Sequence, residues 1–212
     1  MKKILRAFTA FAAVFTLIAL SGPAHAGTTE TDAELAAEWQ YAWDTYKFYD
    51  RTPPAPDSGR SQRTASISIV INAPAWRVFD VYSNFNNHIG RNPFLTRVVT
   101  HKDWCWGNAR YINLTAIEQV PYDGTIVDLK THAQQRLYRS KLYYEVDSWS
   151  APGVETHQKI VFKALSKGKT EVTEHLTFEA DNSLIDFTVT NGVAAHQQIQ
   201  TALKQAIESG EL

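Results

Sequence analysis

The alternation of apolar and polar residues predicts a β-strand that leads directly into a helix within residues 67–82. Ile67, Ile69 and Ile71 fall on one side of the chain with a period of two, which is typical of a half-buried strand. The apolar residues that follow recur at helical spacing: Trp76, Val78, Phe79 and Tyr82. Between the two patterns, Asn72 is predicted to cap the helix, and Pro74 to occupy its first turn, where the missing N–H costs nothing.

Six further segments, separated by turn residues, are predicted to be strands. They are residues 95–102, 108–120, 125–134, 138–149, 156–165 and 170–179. Because the connections are of hairpin length, we expect an antiparallel meander. The segment 108–120 allows two inner faces, either the more apolar Ile112, Leu114 and Ala116 or the set Tyr111, Asn113 and Thr115.

A helix is predicted ahead of the strands, at residues 31–49. Thr31 and Glu34 form a capping box. An aromatic and aliphatic stripe follows on one face: Leu35, Trp39, Ala42, Trp43 and Tyr46. We expect this helix to pack on the main domain, although a lid or a partner-docking helix would also suit the stripe. A proline-rich linker follows at residues 52–59.

A second long helix is predicted at the C-terminus, within residues 184–208. At about 100° per residue, its apolar positions form a stripe centred on Ile199, and His196 lies toward the edge of that stripe. The β-branched residues 188–190 and Gly192 weaken the first half of the helix, so the pattern is also consistent with a kink there or with a start near Asn191.

Residues 1–26 have the pattern of a cleavable signal peptide. Lys2, Lys3 and Arg6 precede an uncharged run, and Ala24-His25-Ala26 forms a small-x-small cleavage site. The uncharged run is shorter than the roughly 20 residues that a membrane span needs. We therefore expect cleavage after Ala26, no stable membrane insertion afterwards, and a secreted or periplasmic protein. The predicted organisation is a signal peptide (1–26), an N-terminal helix with a linker (27–64) and one main domain (65–212).

Charge and cysteine content narrow the possible functions. Without the leader, 18 Lys and Arg residues stand against 22 Asp and Glu residues, a formal net charge of −4. Nucleic acid is therefore not an expected partner, because phosphate binding needs clustered cations. Cys105 is the single cysteine, which precludes an intramolecular disulfide, and its place between Trp104 and Trp106 predicts a buried, inert thiol. The sequence does not indicate the oligomeric state.

Two stretches of the chain resemble one superfamily. Residues 71–86, INAPAWRVFDVYSNFN, are similar to the opening strand, turn and helix of the START-like (SRPBCC) superfamily, which includes polyketide cyclase/dehydrase-like and Bet v 1-like proteins. Residues 176–208 resemble its last strand and C-terminal helix. The resemblance implies an α+β helix-grip fold, in which a seven-stranded antiparallel sheet wraps around the long C-terminal helix and leaves a hydrophobic cavity. The helix at 31–49 is extra, and the leader suggests an exported bacterial member.

Polar residues on apolar faces are the candidates for chemistry in such a cavity. Glu174 stands between Val172 and Leu176, where burial would raise the pKa of its carboxyl group. It could then orient a ligand hydroxyl or act as a general acid or base, whereas a bulge or a paired arginine would make it structural. His196 is the second catalytic candidate. The predicted ligand-binding residues are Tyr144, Gln158, Phe162, Glu174, Phe178, His196, Ile199 and Leu203.

No metal site or cofactor is expected. The sequence has no HExxH motif, no histidines at i, i+4 and no Gly-rich phosphate loop. The resemblance therefore implies first a binding protein for a hydrophobic small molecule, such as a lipid, a sterol or a polyketide-like compound. One alternative is a cyclase/dehydratase-like enzyme that uses Glu174 or His196. A second is a protein-interaction module that docks through the aromatic N-terminal helix.

Overall fold

The computed structural model describes residues 30–92, 94–122 and 125–212. The predicted signal peptide and its cleavage site lie outside these residues. The helices are α1 (Asp32–Tyr46), α2 (Ala75–Tyr82) and α3 (Ile185–Ser209), and a short 3-10 helix follows α2 at Phe85–His88. The strands are β1 (Arg60–Ile71), β2 (Leu95–Trp106), β3 (Ala109–Tyr122), β4 (Thr125–Tyr138), β5 (Tyr143–Ser150), β6 (Val154–Ala164) and β7 (Thr170–Asp181).

The seven strands form one antiparallel sheet in the order β1-β7-β6-β5-β4-β3-β2. Neighbours from β2 to β7 are consecutive in sequence, so the predicted meander is confirmed. β1 closes the other edge by pairing with β7, and α3 packs over these two strands. The predicted α+β helix-grip architecture, with a long C-terminal helix held by the sheet and an additional N-terminal helix, is confirmed.

The register of the strands defines the inner face of the sheet. One row of register partners crosses five strands, and its members are largely buried: Leu137, Tyr144, Ile160, Glu174 and Ile67. On β3, Arg110 pairs with Leu137, so the even-numbered residues of this strand share the inner face. The inner set is therefore Ile112, Leu114 and Ala116. The choice that the sequence left open is settled by register.

The N-terminal helix α1 packs on the outer face of the sheet, opposite to α3. The predicted capping box at Thr31 is present. Trp39, Ala42 and Phe48 form a buried cluster against Trp149, and the Trp39 indole N–H donates to the Ala133 carbonyl at 2.8 Å. The stripe therefore serves as core packing. This position is inconsistent with a lid over the inner face. Leu35, Trp39 and Ala42 are buried, whereas Tyr46 is 41% exposed, so docking of a partner through this helix stays a prediction.

The start of α2 differs from the prediction. Pro74, not Asn72, is the N-cap residue, and it makes no side-chain capping hydrogen bond. Asn72 lies too far ahead of the first helical turn for its side chain to reach the free amides. Its backbone N–H instead donates to Glu208 Oε1 at 2.7 Å, which ties the end of β1 to α3.

Two further boundaries also differ from the prediction. β1 begins at Arg60, whereas the predicted main domain begins at residue 65, and Arg60 forms ion pairs with Glu155 and Glu179. Helix α3 runs from Ile185 without a break, so a start near Asn191 is wrong. Gly192 is required there for close packing, because a Cβ atom would lie 2.6 Å from Cε1 of Phe178.

Candidate functional site

A cavity of about 820 Å³ lies between α2 with its following 3-10 helix and the inner face of β2, β3 and β4. Helix α3 covers β1 and β7 and leaves this part of the sheet unfilled. The larger apolar residues of the wall are Phe79, Phe85, Val98, Ile112, Leu114 and Leu137. Its volume falls within the usual range for small-molecule sites, roughly 300–1,000 Å³.

The opening of the cavity carries two arginine–aspartate pairs. Arg139, the residue after β4, binds Asp80 at 2.7 Å and thereby links this end of the strand to α2. Arg110 binds Asp103 through two nitrogens, at 2.8 and 2.5 Å, across the hairpin of β2 and β3. All four side chains line the cavity and are at least 36% exposed, so they mark its solvent side. Hydrogen bonds from Arg110 hold the pKa of Asp103 below its usual value.

Two buried polar residues, Ser83 and Gln135, lie on the covered side of the cavity. Gln135 is 1% exposed and occupies the inner face of β4 between Ile112 on β3 and Val146 on β5. Its Nε2 atom donates to the backbone carbonyl of Ser83 at 3.0 Å, at the end of α2. The amide therefore joins the helix to the sheet and also forms part of the cavity wall.

Cys105 is exposed and lines the cavity, so the prediction of a buried thiol was wrong. Successive residues of a strand point to opposite faces, and Trp104 and Trp106 therefore project away from the face that holds Cys105. Trp104 stacks on Tyr111 on the outer face, with ring centroids 5.2 Å apart, while Trp106 is 73% exposed. Neither indole covers the sulfur atom.

Glu174 is the centre of a second polar cluster, deeper under α3. It is 3% exposed, and its Oε1 atom accepts from the Tyr82 hydroxyl at 3.0 Å and from Gln200 Nε2 at 2.9 Å. Its Oε2 atom lies 2.7 Å from His196 Nδ1. Burial by itself raises the pKa of Glu174. The hydrogen bond and the charge of His196 outweigh this effect, together with the hydrogen bonds from Gln200 and Tyr82, and the net result is a lowered pKa. The predicted increase in this pKa was therefore wrong, and no bulge or arginine is involved.

No protein-family model and no curated protein matches the sequence, but solved structures resemble the fold. The Zhui aromatase/cyclase from Streptomyces sp. R1128 matches with a TM-score of 0.52 and 14% identity, over 69% of this chain and 96% of its own. A START superfamily protein from Mycobacterium smegmatis matches at 0.51 and 14%, over 69% and 97%. Ara h 8.0201 matches at 0.54 and 15%, over 70% and 99%.

The chain has the START-like (SRPBCC) fold. At 14–15% identity the similarity shows a shared architecture. It does not show a shared activity, because one fold can carry many functions. Residues 60–209 are 150 of the 212 residues, about 71%, so the matches are as long as the domain from β1 to α3.

None of the eight predicted ligand-binding residues lies on the wall of the START-like cavity described above. Tyr144 and Phe162 pack against Phe79, with ring centroids 6.5 and 5.4 Å from it. Gln158 is half-buried and donates to Thr156 at 3.2 Å. The other five contribute to the packing or hydrogen bonding between α3 and the sheet: Glu174, Phe178, His196, Ile199 and Leu203. Their role in ligand binding stays a prediction.

Two members of the Glu174 cluster were missed in the sequence. Gln200 is 2% exposed, although it lies about 100° from Ile199 and so outside the apolar stripe. Its spacing of four residues from His196 places both on one helical face, and this could have indicated a shared partner. Tyr82 was assigned to the apolar face of α2, and its hydroxyl gave no signal of its own.

Two negative observations apply to the part of the chain that the structure describes. Within residues 30–92, 94–122 and 125–212, no three His, Cys, Asp or Glu side chains are grouped to hold a metal ion. In the same ranges, no helix is long and apolar enough to cross a membrane.

Proposed function

We propose that this protein is an exported binding protein for a hydrophobic small molecule, held in the cavity under α2. The observation that carries the proposal is the cavity itself, about 820 Å³ with an apolar wall and charged pairs at its opening. An apolar ligand would bury its surface against residues such as Phe79, Phe85 and Leu137. The ion pairs would stay in contact with water, because Arg110 and Arg139 are exposed.

The class of ligand is supported by the fold and by the composition of the wall. One neighbour is an aromatase/cyclase and another a START superfamily protein, and both share the architecture that forms the cavity. Two aromatic rings, Phe79 and Phe85, contribute to the wall and suit a flat or ring-containing ligand. A lipid, a sterol or a polyketide-like compound fits this description.

Ligand binding is tested by filling the cavity. Ile112 is half-buried on the inner face, so Ile112→Trp would place an indole in the cavity. Binding of the fluorescent probe 1-anilinonaphthalene-8-sulfonate should weaken at least about tenfold. The matched control is Tyr111→Trp, one residue away on the outer face. Equal probe affinity in wild type and Ile112→Trp would show that the cavity is not the binding site.

Export is a separate part of the proposal and rests on the pattern of residues 1–26. Cell fractionation followed by intact-mass measurement should find a mature chain that begins at Gly27, outside the cytoplasm. A cytoplasmic protein that retains the leader would contradict export and leave the binding function unaffected.

An enzymatic function of the cyclase/dehydratase type is the second candidate, and the 2.7 Å contact of Glu174 with His196 favours it. Both carboxylate oxygens already accept hydrogen bonds, so Glu174 would orient and stabilise the imidazole as a positioning residue. His196, whose side chain is 21% exposed, would be the acid or base. His196→Gln should then abolish turnover of an added polyketide-like substrate without changing its affinity. Unchanged turnover would exclude this role.

A further inference from the structure

The amide of Gln135 has one atom that the fold leaves unused. The Ser83 backbone oxygen can only accept a hydrogen bond, so the Nε2 atom of Gln135 must face it. The orientation of the amide is therefore determined by chemistry, and the Oε1 atom is the one that remains. Among the described residues no hydrogen bond ends on this Oε1 atom, and it is not one of their buried unpartnered atoms, so it is open to the cavity.

The surroundings of Gln135 make this acceptor selective. The side chain is 1% exposed, lines the cavity and stands between two apolar register partners, Ile112 and Val146. Solvent that enters the cavity can satisfy this carbonyl oxygen, but a ligand that fills the cavity excludes that solvent. A ligand that donates a hydrogen bond here restores the partner, whereas a purely apolar ligand leaves the oxygen buried and unsatisfied.

The charges that line the cavity argue for a neutral donor. The two arginines, Arg110 and Arg139, are already paired with Asp103 and Asp80 at the solvent side. A ligand with an ammonium group beside Gln135 would lose its water without gaining a carboxylate partner, because both aspartates are already paired. A ligand with a carboxylate group would be repelled by the amide oxygen. A hydroxyl satisfies the acceptor without bringing a charge into the covered part of the cavity.

We propose that Gln135 is a specificity-determining residue, which selects apolar ligands that carry a hydroxyl group by accepting its hydrogen bond on Oε1. The ligand class is thus an apolar alcohol or phenol whose hydroxyl end enters first, under α2. This inference rests on the proposed function, because it assumes that the ligand occupies the same cavity.

The test compares two nearly isosteric probes, 1-naphthol and 1-methylnaphthalene, which differ in the hydroxyl group. Their dissociation constants are measured by displacement of 1-anilinonaphthalene-8-sulfonate from wild type and from Gln135→Leu. We define the ratio as the dissociation constant of 1-methylnaphthalene divided by that of 1-naphthol. This ratio should be about tenfold smaller in Gln135→Leu than in wild type, because the variant has lost the acceptor for the hydroxyl group. Gln134→Leu, next in sequence but on the outer face, is the matched control and should retain the wild-type ratio.

Each outcome is decisive for one of the two proposals. An unchanged ratio in Gln135→Leu, with both probes bound, overturns the role of Gln135 and leaves the binding function intact. Failure of both probes to bind wild type contradicts the proposed function itself. Should Gln135→Leu fail to fold, Gln135→Met removes the acceptor with a closer match in shape, and its ratio decides in the same way.

Discussion

The Nδ1 atom of His196 lies 2.7 Å from Oε2 of Glu174, and this contact joins α3 to β7 inside the sheet. Tyr82 from α2 and Gln200 from α3 donate to the other carboxylate oxygen. One buried carboxylate thus connects three elements of the START-like domain. Because charge-assisted hydrogen bonds are stronger than neutral ones, the cluster orients α3 against β7 as well as burying a charge.

Glu174→Gln should destabilise the fold. The amide would still accept from Tyr82 and Gln200, but its NH₂ group would face the His196 ring in place of an anion. We expect a loss of about 1–3 kcal/mol in the free energy of unfolding, measured with urea. The control is Glu171→Gln on the same strand, whose carboxylate lies 3.7 Å from the exposed Lys163. An increase in stability for Glu174→Gln would mean that the buried charge is a net burden.

Gly192→Ala should also be destabilising, although alanine is the better helix former. Its Cβ atom would lie 2.6 Å from the Phe178 ring, so either α3 or the ring must move. We expect a loss of about 1–3 kcal/mol by thermal or urea unfolding. The double variant with Phe178→Leu should lose less than the sum of the two single changes. Strict additivity would show that the contact does not limit packing.

Acidification should weaken the fold before Glu174 becomes protonated. Burial lowers the pKa of His88 from 6.5 to about 4, and its Nε2 atom bonds the Tyr82 carbonyl at 2.9 Å. Between pH 6.5 and about 4, His88 is protonated in the unfolded chain but not in the folded protein. The free energy of unfolding therefore falls as the pH falls through this range. The contribution is about 2 kcal/mol between pH 7 and pH 5. Burial lowers the pKa of His132 in the same direction, to about 4.

The contribution of His88 is isolated by His88→Gln, which retains a donor for Tyr82 and does not titrate. Urea unfolding of this variant at pH 7 and pH 5 should show a smaller difference in stability than wild type. His175→Gln, at an exposed position on β7, serves as the control. A pH dependence that is identical in wild type and His88→Gln would contradict the assignment.

Trp39→Ala should destabilise the protein without affecting the cavity. The indole is 4% exposed, packs with Phe48 and donates to Ala133, so its loss should cost about 3–5 kcal/mol. Probe affinity at the cavity should not change, because α1 lies on the outer face. Tyr41→Ala, at a position 64% exposed on the same helix, should have little effect on either measurement. Faster ligand exchange in Trp39→Ala would instead indicate that α1 acts on the cavity.

The order of elements could be predicted because each element has a local signal. Alternation marks the strands, the capping box at Thr31 marks α1, and the turn residues between segments give the antiparallel connections. Local signals were insufficient where a distant residue decides the outcome. Asn72 looked like a cap but binds Glu208, and Gly192 looked like a helix breaker but accommodates Phe178.

The sequence alone determined the architecture of this protein, since periodicity of two and of 3.6 is a property of the chain itself. Only the tertiary structure decided where the cavity lies and which polar groups reach it. The position of α3 over β1 and β7 directs Glu174 and His196 into hydrogen bonds with each other and leaves the inner face of β2–β4 open. The same packing places Gln135, which no pattern singled out, on the cavity wall. Burial and register arise from contacts between distant segments, and for that reason they decided the site.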